Sequence, residues 1–243
     1  MNNNHSCSNG HNDFISDNSR SKDLNLVEKT VFGLHESLAK RVRQWVSTDV
    51  PILDIGCGSG AWLKRLADEG FEDLYGVDAD ISQVCTDVGK FTQVDLDVCK
   101  PWDFLSKNYR LITAIEVIEH LINIGHLLYA VSELLHPNGL FLLTTPNIHS
   151  LACRMRFLFT GKLKQFGNIG DRTHLFPVIL STFPRSTTRY DLEVNEIWGY
   201  PDDGRTLTSR SFVNLGTRIM RNFLPEVVPG DTLCMLLHKK KAL

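Results

Sequence analysis

Residues 50–60 read VPILDIGCGSG: an apolar run interrupted only by the acid Asp54, then a turn with glycines at alternate positions, Gly56, Gly58 and Gly60. So short and apolar a run fits a strand buried on both faces of a parallel sheet. The glycines let the chain bend sharply and let its backbone approach a ligand with no Cβ in the way. Residues 61–68 (AWLKRLAD) read as a helix leaving that turn. Its free N–H groups would face the crevice at the carboxyl edge of the sheet, where open α/β sheets hold ligands.

Outward from this turn, strands and helices alternate, which argues for a parallel sheet with right-handed crossovers. Upstream, from Leu24 on, Val27, Val31, Leu34, Leu38, Val42 and Trp45 recur at helical spacing and predict a helix that packs on the sheet and closes over the ligand crevice. Downstream, LYGVDAD ends a second strand at Asp78, and FTQVDLDV places Asp95 at the end of a third. Residues 111–116 read as a fourth strand, 125–135 as a helix, 136–139 (HPNG) as a turn and 140–144 as a fifth strand. A strand over 192–198, a helix over 209–223 and a strand over 232–238 complete the pattern.

The glycines alone fit two ligand classes, because 56–61 (GCGSGA) also satisfies the dinucleotide pattern G-x-G-x-x-G/A. Charge separates them. A pyrophosphate gains nothing from the carboxylate of Asp54, whereas a sulfonium or an α-amino group is attracted to it, which favours S-adenosylmethionine over NAD. Asp78 suits the ribose hydroxyls of either ligand. Asp95, beside apolar Leu96, can accept from an adenine amino group.

Together these residues resemble the class I S-adenosylmethionine-dependent methyltransferases, in particular the branch with an E-x-x-E-H-L segment on the fourth strand. The resemblance covers roughly residues 24–240. It implies a Rossmann-like α/β fold: a seven-stranded, mostly parallel sheet with one antiparallel strand and helices on both faces, closed by the last two strands as an antiparallel pair. It also implies that Asp54, Gly56, Cys57, Gly58 and Gly60 contact the methionine part of the cofactor, Asp78 and Ala79 the ribose side, and Asp95 with Leu96 the adenine. Glu116 would line the cofactor pocket.

Methyl transfer asks mainly for in-line positioning and for deprotonation of the acceptor. Residues 115–121 (IEVIEHL) set Glu116, Glu119 and His120 at the end of the fourth strand, where carboxylates with an imidazole can hold a divalent cation or act as a general base. In the ubiquinone-pathway O-methyltransferases and the small-RNA 2′-O-methyltransferases a similar segment forms a metal site with a later histidine. By that resemblance Glu116, Glu119, His120 and His174 would ligate Mg²⁺ or another divalent cation. With no metal, His120 alone accepts a hydroxyl proton, since its reference pKa of about 6.5 lies near working pH. His120, Glu119 and His174 are the catalytic candidates.

The chain of 243 residues, 42% hydrophobic and 22% charged, is long enough to bury a full core. A polar tail over 1–23 is expected to stay unfolded for want of apolar surface, with one domain over 24–243. Six cysteines form no C-x-x-C pair, so neither a zinc knuckle nor a disulfide framework is expected. No apolar run is long enough to span a membrane and no secretory leader is visible, which points to a cytoplasmic enzyme. A net charge of −2 offers no long-range pull on nucleic acid, so a small-molecule substrate is expected. Residues 150–180 read as the lid and substrate region, and 150–165 mix Arg154, Arg156, Lys162 and Lys164 with aliphatic and aromatic residues. Such a stretch can cover an acidic substrate, rest on a lipid surface or simply pack with its basic groups in water. It departs from the relatives, which often continue past the histidine with a long helix, where this chain has Pro177 and Pro184. The function expected from these residues is O-methylation of a small molecule or biosynthetic intermediate. RNA 2′-O-methylation, an NAD-dependent oxidoreductase and a non-catalytic binding module are the rivals.

Overall fold

β1 (Ile52–Ile55), the strand that leads into the glycine turn, is buried at every position. It is followed in the chain by β2 (Leu74–Asp78), β3 (Lys90–Gln93), β4 (Tyr109–Ile115), β5 (Leu135–Pro146), β6 (Leu192–Tyr200) and β7 (Thr232–Lys239). A computed structural model, which describes residues 26–98, 108–167, 171–201 and 227–240, joins them in one seven-stranded sheet of order β3-β2-β1-β4-β5-β7-β6. β1 to β5 pair in parallel, and β7 runs antiparallel to both its neighbours. The expected closing pair is therefore present, with β7 as the single reversed strand. After β3 the chain crosses to the other side of β1, so the carboxyl ends of β1 and β4 form the switch point where such sheets bind ligands.

Alternation along the strands divides the core in two. In β1, Leu53 and Ile55 face one apolar cluster and Ile52 the other; in β5, Phe141 and Leu143 oppose Leu142 in the same way. Helices α1 (Leu34–Trp45) and α2 (Ala61–Asp68) cover one face through Leu34, Leu38, Val42, Trp62, Leu63 and Leu66. Helix α3 (Ile124–Leu134) covers the opposite face through Leu127, Leu128 and Val131. Two shorter helices follow, α4 (Leu151–Thr160) and α5 (Phe183–Thr188), the latter adding Phe183 to the α3 side.

Three boundaries differ from the sequence expectation. The helix expected from Leu24 begins only at Leu34, after Gly33 in a left-handed conformation (φ 78°). Val27, 56% exposed, lies instead in an extended strap whose N–H donates to Ser59 Oγ at 3.1 Å, while that hydroxyl donates back to the Val27 carbonyl at 3.1 Å. Pairing with the glycine turn outweighs helical periodicity here. Residues 136–139 do leave the ladder, but as an excursion inside β5: Tyr109 faces Leu135, Leu111 faces Leu140, and 136–139 stand opposite Arg110 alone. β4 ends at Ile115 because Glu116 turns left-handed (φ 54°). The expected helix over 209–223 and the tail over 1–23 lie outside the described residues.

Candidate active site

A cavity of about 890 Å³ opens at the carboxyl ends of β1, β2 and β4. Asp54, Gly56, Cys57 and Gly58 enter it from β1 and its turn, Asp78 and Ala79 from the end of β2, Asp95 and Leu96 from beyond β3, and Glu116 and His120 from beyond β4. The acids expected on three strand ends thus share one hollow. Gly60 does not line it; as the residue capping α2 (φ 84°) it shapes the turn, and a Cβ there would come within 2.6 Å of Thr86 Cγ2. Gly56 has φ 73° and a Cβ on it would lie 2.5 Å from Val117 Cγ2, so both conformation and space demand glycine. The Gly58 N–H donates to Asp78 Oδ2 at 2.8 Å, which locks the turn to β2.

Asp54 is 3% exposed and accepts from Thr113 Oγ1 at 2.6 Å; Thr113 in turn accepts from Trp62 Nε1 at 3.1 Å. Burial pushes its carboxyl up to about 7; the Thr113 hydrogen bond opposes this and the nearby Asp78 charge adds to it. A bound cation is what relieves such a group. Cys57 is also buried, which pushes its thiol far above the usual range and leaves it unreactive. Of two further features of this end, one was expected from the sequence, though as a helix, and the other was missed. The strap residues 27–31 roof the cavity. His35, on the first turn of α1, lines it too, with its ring 5.3 Å from that of Trp62 and its Nδ1 without a hydrogen-bond partner, 3.5 Å from a Glu28 oxygen. Burial, which outweighs the Glu28 attraction, pushes the His35 imidazole down to about 4. A histidine on an apolar helix face gives no sequence signal of this kind.

The other end is built on a 3-10 turn, Ile118–His120. Glu116 is held in its left-handed conformation by Thr144: the Glu116 N–H donates to Thr144 Oγ1, and that hydroxyl donates to Glu116 Oε1, both at 3.1 Å. Glu119 is fully buried; its Oε2 accepts from Thr145 Oγ1 at 3.1 Å and its Oε1 has no hydrogen-bond partner. Burial pushes both carboxyls upward, Glu119 further because Glu116 stands near it. Its backbone carbonyl accepts from the N–H of Leu175 at 2.7 Å and of Phe176 at 3.3 Å, which ties the segment carrying His174 to the turn carrying His120. The two imidazole rings lie 4.7 Å apart, edge to face. Burial, and to a lesser degree His174, pushes the His120 imidazole below its ordinary value.

One ligand atom each from Glu119, His120 and His174 lie within 4.8 Å of one another, a spacing that suits a divalent cation. The unpartnered Glu119 Oε1 gives that ion a reason to sit there. Glu116, expected as a fourth ligand, is outside this group, because its left-handed turn and Thr144 engage its carboxylate elsewhere. In the expected lid, α4 stays off the cavity wall, whereas Gln165, Asp171, Thr173 and His174 form part of it.

This sheet, with acids on its strand ends and a histidine at the cavity mouth, defines a class of methyl-transferring enzymes. Residues 27–197 match the family model of a methyltransferase domain, and the chain belongs to that family. Ubiquinone biosynthesis O-methyltransferases from Azorhizobium caulinodans (32% identical over 108 residues) and Bradyrhizobium diazoefficiens (31% over 108 residues) are among its relatives. In each case the match spans 40% of this chain and 40% of the relative's length. Among solved structures, an S-adenosylmethionine-dependent methyltransferase from Archaeoglobus fulgidus superposes with a TM-score of 0.55 at 18% identity, covering 84% of this chain and 94% of that one. Magnesium protoporphyrin IX methyltransferase from Synechocystis PCC 6803, solved with bound S-adenosylhomocysteine, gives 0.56 at 12% identity, covering 96% and 90%. These two likenesses speak for the fold. No helix among the described residues is long and apolar enough to cross a membrane.

Proposed function

We propose that this chain moves the methyl group of S-adenosylmethionine to a hydroxyl oxygen of a small-molecule acceptor. One observation carries the reading: His120 opens onto the same cavity as Asp54, Asp78 and Asp95. Asp54 would face the α-amino group, and the unpartnered His35 Nδ1 would meet the α-carboxylate. Asp78 already accepts from Gly58 N and Asp80 N, yet a carboxylate has about four acceptor positions, so room remains for a ribose diol. Asp95 and Leu96 would take the adenine. Once bound, the cofactor supplies a methyl group on a sulfonium whose departure needs no acid. With no cation bound, His120 would take the proton of the acceptor hydroxyl, whose oxygen would gain the methyl group, and the C–S electron pair would stay on sulfur.

In the alternative version Glu119, His120 and His174 would hold a divalent cation that lowers the pKa of an acceptor hydroxyl, and His120 would then be a ligand and not the proton acceptor. The relatives' names, and the metal-type cluster, favour oxygen as the methylated atom and a biosynthetic intermediate as the substrate. The exposed outer end of α4 supports peripheral contact with a membrane that carries such a substrate.

Titration calorimetry with S-adenosylhomocysteine tests the cofactor reading. Saturable heat is expected, and Asp78→Ala should weaken binding about 100-fold, the worth of two charge-assisted hydrogen bonds. A wild-type chain that gives no heat, but changes the fluorescence of NADH, would bind a nicotinamide dinucleotide in this cavity and overturn the cofactor reading. Methyl transfer that survives a chelator would remove the cation and leave His120 as sole base.

A further inference from the structure

The loop that delivers His174 also reaches back to His120. Asp171 Oδ1 accepts from the Thr173 N–H at 2.9 Å and from the Thr173 hydroxyl at 2.6 Å. Thr173 Oγ1 lies 2.8 Å from His120 Nδ1. A hydroxyl has one proton, and here the carboxylate takes it, so Thr173 can only accept from the imidazole. His120 must then carry its hydrogen on Nδ1, which leaves the lone pair on Nε2. His174 is set in the same way, since its Nδ1 lies 3.0 Å from the Gln165 carbonyl, a group that can only accept.

We propose that Thr173 and Asp171 are positioning residues that hold His120 as the Nδ1–H tautomer, so that Nε2 is the nitrogen offered to the acceptor hydroxyl or to a cation. The inference rests on the reading of His120 as the proton acceptor and extends it by two residues that act through the His120 ring. Their place is secured by the backbone: the Leu175 and Phe176 N–H groups on the Glu119 carbonyl dock the loop beside the turn that carries His120. A hydroxyl bridging a carboxylate to an imidazole orients the ring, and partners of this kind typically cost about 10–100-fold in activity or metal affinity when removed.

Long-range ¹H–¹⁵N correlation on protein labelled at histidine nitrogens, at a pH where the imidazole is neutral, reads the tautomer directly, with His120→Gln identifying the signal. Wild type and Thr173→Ser are expected to show His120 protonated on Nδ1. Thr173→Val removes the acceptor, and Asp171→Ala frees the hydroxyl to donate instead; both should move population to the Nε2–H form. In Thr173→Val kcat should fall about 10–100-fold with KM within about twofold, and Thr173→Ser should recover most of it. S-adenosylhomocysteine affinity should be unchanged in all variants, which verifies their folding and separates this test from that of the cofactor reading. An Nε2–H signal for wild-type His120, a tautomer indifferent to Thr173→Val, or a Thr173→Ser variant as impaired as Thr173→Val would overturn the proposal.

Discussion

Under the proposed function, Asp54 is the residue on which proton and ligand would compete. Its buried carboxyl, pushed up to about 7, holds a proton in the free protein below that pH, and an ammonium bound against it needs the carboxylate. Binding must therefore release a proton below about pH 7 and none above. The affinity for S-adenosylhomocysteine should fall about tenfold per unit as pH drops below 7 and level off above it. Calorimetry from pH 5.5 to 8.5 checks this, and Asp54→Asn should weaken binding and flatten the profile; a level wild-type curve would refute the competition. The same scale explains why Glu116 and Glu119, three apart in sequence, part company. Each is met by a different threonine of β5, Thr144 or Thr145, and only Glu119 is left with an oxygen facing the histidines.

Among the elements, α4 departs most from the rule that apolar residues turn inward. Its first turn is anchored: Ser150 Oγ accepts from the Cys153 N–H, and Leu151 and Cys153 are buried. Its last turn is not, with Phe157 52%, Leu158 72% and Phe159 77% exposed, near Arg154 and Arg156 in the same helix. Aromatic side chains beside cations suit the boundary of an anionic bilayer. The protein should cosediment with vesicles containing anionic phospholipid, less so at high salt. Phe157→Ser with Phe159→Ser should lower the partition at least tenfold, since burying each phenylalanine contributes about 1.5–3 kcal/mol. Equal recovery of both proteins with the vesicles would show that this end of α4 serves another purpose.

For the whole molecule, the cavity proposed to take the cofactor lies where strap, sheet and loops from both sides of the switch point meet, so a ligand there would bind the folded chain alone. S-adenosylhomocysteine at about 100 times its Kd should add about 2.7 kcal/mol, which in a chain of this size raises Tm by about 5–10 °C. Scanning calorimetry reads the shift, and NADH should produce none; an unmoved transition would place the ligand elsewhere. The strand–turn–helix, the acids at the strand ends and the class of fold were legible in the sequence, because alternation, glycine conformation and buried runs are properties of near neighbours. His174 was legible only through family resemblance. The extended form of the strap over the cavity, the unpartnered nitrogen of His35, the turning away of Glu116 and the bridge from Asp171 through Thr173 to His120 were not. Each depends on contacts between residues far apart in the chain, and a side chain's direction beyond the end of a strand is set by the partners that the packed sheet brings to it.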